Sequence, residues 1–145
     1  MLRKSISSLV VCGGLALTTS SALALTPQEA FVLTGVYDEM RTCFAYTVVA
    51  ASAAKAEGDA ADEKRFTDQG FTFMKGYEFF GKTIGKGSSD ISADVASSIQ
   101  KVHEQSENLT KMVVLNLVYL ERCDQLAADP KPIMEEYMAK YGGPQ

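Results

Sequence analysis

The chain has one histidine, His103, and three cysteines in 145 residues. Catalytic zinc takes three protein ligands, commonly several of them histidine, so a lone imidazole is a poor basis for a metal centre. His103 and Glu107 stand four residues apart, but the Glu-x-x-His pairs of di-iron bundles do not occur. His103 reads as a solvated surface residue, and no metal is assigned. The sequence also lacks a Cys-x-x-Cys-His haem attachment and a Gly-x-Ser-x-Gly nucleophile elbow. Gly85-Lys86-Gly87-Ser88-Ser89 lacks the Walker spacing and a preceding strand, and reads as a turn between helices. These shortages point away from enzymatic chemistry, and no cofactor is expected.

Basic residues are scarce as well, with 14 Lys and Arg against 18 Asp and Glu. An acidic chain does not bind nucleic acid or anionic lipid by simple electrostatics. Long apolar runs are missing too. The most apolar stretch is Met112–Leu120, nine residues in which Asn116 is the one polar side chain. A bilayer needs about 20 such residues, so stable membrane insertion is not expected after the N-terminal region. An element apolar on every side belongs in a core, and Met112–Leu120 is expected at the centre of the fold.

What is present begins with a secretory pattern. Arg3 and Lys4 precede an apolar stretch from Ile6 to Leu17, followed by polar Thr18 to Ser21 and the Ala-x-Ala site Ala22-Leu23-Ala24. Residues 1–24 are therefore expected to be a cleaved signal peptide, and the product is expected in the periplasm or outside the cell. Residues 25–145 then form a single helical domain of ordinary size with net charge −6. Of the three cysteines, Cys12 leaves with the signal. Cys43 and Cys123 are an even pair in an oxidising compartment, where a disulfide is the default.

The fold class is all-α: a compact four- to five-helix bundle with one disulfide. Thr26, Pro27 and Glu29 make a capping box with proline at the first helical position. Leu33, Val36, Met40, Cys43, Thr47 and Ala50 continue that helix at spacings of three and four until Glu57-Gly58-Asp59. Asp59 opens a second helix with Phe66, Phe73, Tyr77, Phe80 and Ile84 on one face and small Gly70 and Gly81 beside them. Phe71 and Phe79 point away from that face, flanking Lys75 and Lys82. Either this helix packs on two sides, or the rings are exposed for a partner.

Residues 90–128 contain no glycine or proline, and Ile91, Val95, Ile99, Val102, Ser106, Leu109, Val113, Leu117 and Leu120 keep one face throughout. One unbroken helix would carry Cys123 roughly 50 Å from Asp90, whereas Cys43 lies only about 24 Å from Pro27 along its own helix. Bridged cysteines need Cα atoms within about 7 Å. A reversal is therefore expected within His103–Asn108. A short helix, Ile133–Tyr141, closes the chain after Asp129, Pro130 and Pro132.

Two kinds of site remain open. Phe71, Lys75, Phe79 and Lys82 suggest a surface for another protein, as an inhibitor, chaperone or adaptor would have. Tyr77, Asn116 and Tyr119 suggest an alternative, a carrier holding a small apolar ligand in a bundle cavity with a buried amide to orient it.

Overall fold

The computed structural model describes residues 24–106 and 109–141, with backbone alone at 109–111. The expected signal sequence and the polar centre of the predicted reversal thus lie outside the described residues. Five helices follow in order: α1 Pro27–Glu57, α2 Ala60–Thr83, α3 Ser88–Gln105, α4 Leu109–Ala128 and α5 Lys131–Tyr141.

Local chemistry accounts for most of the boundaries. The Thr26 hydroxyl accepts from the Glu29 amide, and the Glu29 carboxylate accepts from the Thr26 amide, so the expected capping box is formed. Gly58 stops α1 in the left-handed conformation at φ 77°, where side-chain-bearing residues are strained. Asp59 accepts from the amides of Ala61 and Asp62 to start α2, and Asp129 does the same for Lys131 before α5. The stretch 90–128 is two helices, with α3 ending at Gln105 and α4 beginning at Leu109.

The centre of the fold is α1, not Met112–Leu120. Helix α1 touches each of the other four and buries Val32, Val36, Tyr37, Met40, Cys43, Ala45, Tyr46, Thr47 and Ala50 on several sides. On α4 the buried residues are Leu115, Cys123 and Leu126, while Val113, Val114, Leu117 and Val118 are exposed. The expectation that Val113 and Leu117 continue the core face of α3 is therefore overturned. Because α3 and α4 are separate helices, a face drawn across both has no meaning.

Helix α4 is fastened by the predicted disulfide. Cys43 and Cys123 are joined with a Cα separation of 5.4 Å, and both are 1% exposed. Glycines set two close approaches. Gly81 of α2 lies where an added Cβ would stand 2.8 Å from Ile91 Cδ1 and 2.9 Å from Tyr37 Cε2, so α2 meets α1 and α3 as its small residues suggested. Gly35 of α1 seats the ring of Tyr137 from α5, with ring atoms 2.5 Å from a built Cβ.

Gly35→Ala is expected to destabilise the fold by up to about 2 kcal/mol. The helix gains about 1 kcal/mol from losing a glycine, but overpacking against a ring costs about 1–3. That ring cannot move freely, because the Tyr137 hydroxyl donates to Glu39 at 3.2 Å. Urea unfolding decides the sign, and a more stable variant would show that α5 shifts without cost.

Candidate partner-binding surfaces

The disulfide fixes which way α4 faces. With Cys123 pointed at α1, helical geometry turns Met112, Asn116 and Tyr119 inward, within about 40° of it. By the same geometry Val114, Leu117 and Val118 lie about 120° or more away, with Val113 at the edge. All four are more than half exposed, and Leu117 is 80% exposed. No charged residue interrupts Met112–Leu120, so two turns of helix present aliphatic carbon to solvent. Sequence periodicity missed this surface, although the azimuth of Cys123 carried the signal.

Val113 also edges a cleft of about 240 Å³ where the end of α1, the start of α2 and α4 converge. Ala53, Ala54 and Phe66 line its apolar part, and Glu57, Asp59 and Asp62 line its acidic part. All three carboxylates are on exposed residues.

On α2, Phe71, Lys75, Phe79 and Lys82 are all exposed and follow one stripe at spacings of four, four and three. Phe71 is 56% and Phe79 65% exposed, so packing on two sides is not how this helix accommodates them. The Phe79 ring rests edge-on against Phe80, with centroids 5.2 Å apart.

Tyr77 is not brought together with Asn116 and Tyr119, which both meet Tyr46. The three line different clefts: Tyr77 with Ile91 and Val95, Asn116 with Phe66 and Ala50, Tyr119 with Arg41 and Ser98. The Asn116 amide oxygen accepts from the Tyr46 hydroxyl at 2.8 Å, and the Tyr119 ring packs tilted against the Tyr46 ring, with centroids 5.7 Å apart. Both residues thus secure α4 to α1. The Tyr119 hydroxyl donates to Gln105 at 3.3 Å, reaching back to the end of α3.

Polar networks hold the same seams. Arg122 of α4 donates to Glu39 of α1 at 2.9 Å and to Glu136 of α5 at 2.7 Å. Hydrogen bonding to Glu39 first, then to Glu136, raises the already high Arg122 pKa. Arg65 of α2 grips Asp124 of α4 through both carboxylate oxygens, at 3.0 and 2.8 Å, and Gln69 donates to the same group. Between α1 and α3, Asp94 accepts from Tyr37 at 2.8 Å and pairs with Lys86 at 2.8 Å.

The bonds from Lys86 and then Tyr37 hold the Asp94 carboxyl below its usual range. A depressed carboxyl stabilises the fold at pH values above its ordinary value near 3.8, and that contribution fades as pH falls through the folded value. Asp94→Asn is accordingly expected to lower stability at pH 7 and to narrow the gap from wild type as the buffer is taken below pH ~4. Paired urea titrations check this, and a gap independent of pH would show that the carboxylate charge contributes nothing.

His103 is exposed on α3, and its expected neighbour Glu107 lies outside the described residues. Among the described residues no helix is long and apolar enough to cross a membrane. Comparison of the chain with protein-family models, with curated proteins and with solved structures finds no match.

Proposed function

We propose that the chain is a secreted or periplasmic protein-interaction module that docks a partner on the open face of α4. The observation that carries this reading is the exposure of Val113, Val114, Leu117 and Val118 on a helix otherwise fixed by a disulfide and two ion-pair networks. Monomeric proteins rarely leave a large contiguous apolar patch in water unless something covers it. A helix anchored at its far end, with neighbouring aliphatic side chains, suits helix-in-groove or helix-on-helix recognition. The basic and apolar N-terminal region, the Ala-x-Ala site and the disulfide support export.

The exposed rings of Phe71 and Phe79 favour α2 as a second contact, with Lys75 and Lys82 beside them. The carrier alternative has weaker support, because the three residues that suggested it line separate clefts.

A photo-crosslinking residue placed at Leu117, in protein expressed in its own host, is expected to give a discrete protein adduct. The same residue at exposed Lys101 of α3 is expected to give none. Absence of an adduct at both Leu117 and Val114 would sink the assignment of α4. In parallel, Leu117→Glu is expected to change unfolding free energy by less than about 0.5 kcal/mol, because the side chain is already in water. Loss of the adduct at Val114 in that variant would then report on docking and not on folding.

A further inference from the structure

We infer that the partner segment is a basic amphipathic helix, whose apolar side chains cover α4 while its Lys or Arg residues meet Glu57, Asp59 and Asp62. This inference rests on the reading of α4 as a docking face and specifies its chemistry. The cleft that Val113 shares with Ala53, Ala54 and Phe66 makes the aliphatic face and the acidic group one continuous surface.

Among the described residues no lysine or arginine pairs with Glu57, Asp59 or Asp62, although the Asp59 carboxylate accepts from two amides at the start of α2. Lys55 reaches only Glu63, at 4.0 Å, and the nearby Arg65 is committed to Asp124. Glu57 sits at the end of α1, where helix carbonyls add to the negative potential. An apolar stripe that leads into such a group selects a partner with the opposite charge beside its own apolar residues.

A second copy of the chain fits less well, since it brings its own excess of acid, net −6 after the expected cleavage. An anionic bilayer is repelled by the same carboxylates.

The test uses the mature, disulfide-bonded protein and two labelled 14-residue helical peptides with identical leucine faces, one carrying lysine and the other glutamate. Fluorescence anisotropy is expected to show the lysine peptide binding at least tenfold tighter. That affinity is expected to fall about tenfold between roughly 50 and 500 mM salt. The paired variant Glu57→Gln/Asp62→Asn is expected to weaken binding about fivefold. Glu104→Gln/Glu135→Gln, which removes two exposed charges elsewhere, is expected to stay within twofold. Leu117→Glu is expected to abolish binding, with circular dichroism confirming that every variant is folded.

Equal binding of the two peptides, or equal losses from the two charge pairs, would overturn the inference. So would a concentration-dependent dimer broken by Leu117→Glu, or binding to anionic phosphatidylglycerol vesicles in preference to the lysine peptide. None of these outcomes removes a crosslinked adduct at Leu117. An adduct to an acidic segment would therefore overturn the partner chemistry and leave α4 as the docking face.

Discussion

Replacing Cys43 and Cys123 together with alanine is expected to cost about 4.5 kcal/mol of stability. The bridge spans a sequence separation of 80, and closing a loop of that size takes entropy from the denatured ensemble and raises its free energy by about that much in the chain-entropy model. Both sulfur-bearing residues are almost wholly buried, so the alanines also leave a small cavity on the α1–α4 seam. For a domain of this size the loss corresponds to a fall in melting temperature on the order of 15 °C. Urea unfolding of the double variant gives the number directly. A loss under about 1 kcal/mol would mean that Arg122–Glu39, Tyr46–Asn116 and the packing of Leu115 already hold α4 without the bond.

Alkali is expected to produce the second large effect. Burial pushes the Tyr46 hydroxyl up from 10 to about 12. Burial, with Glu39 beside it, pushes Tyr137 to about 12. Tyr37 is raised further by burial and its bond to Asp94, and Tyr77 is raised by burial. Below pH ~10 both folded and unfolded chains hold these protons, so this part of the stability is intact.

Above that pH the unfolded chain ionises while the folded chain does not, and each tyrosine takes about 1.4 kcal/mol per pH unit from the fold. Tyr46, fully buried, accounts for roughly 3 kcal/mol by the time pH reaches its folded value. With four raised phenols acting together, the protein is expected to unfold sharply between pH ~10 and ~12. Tyr37, Tyr46, Tyr77 and Tyr137 should then ionise as one step that coincides with loss of helicity. Gradual tyrosinate absorbance with helicity intact would show that these rings reach solvent.

Much of the fold was legible because its signals are local. Thr26, Gly58 and Asp59 each act within one helical turn, and the small residues of α2 mark where α1 comes close. The division of residues 90–128 into two helices followed from chain length and the reach of a disulfide. The centre of the core was not legible in the same way. Met112–Leu120 is the most apolar stretch, but burial is decided by neighbours, and α1 meets the other four helices with tyrosine, alanine and threonine as much as with aliphatic residues. The stripe of Phe71 and Phe79 could be read from helical phase alone. The face of α4 could not, because its phase depends on Cys123, and the apparent continuity with α3 hid that dependence.

The positions of those attachments along α4 have a kinetic consequence. Arg122, Cys123, Asp124 and Leu126 all lie in its later turns, while the earlier turns are secured mainly by Leu115, Asn116 and Tyr119. The helix is tethered at one end, and thermal opening starts at the other. Amide hydrogens of residues 112–118 are thus expected to exchange with deuterium well before those around Cys123, through local fraying that leaves the bond intact. The end of the helix that carries the aliphatic face is also its more pliant end, able to adjust its pitch to an incoming chain while the rest of the molecule holds still.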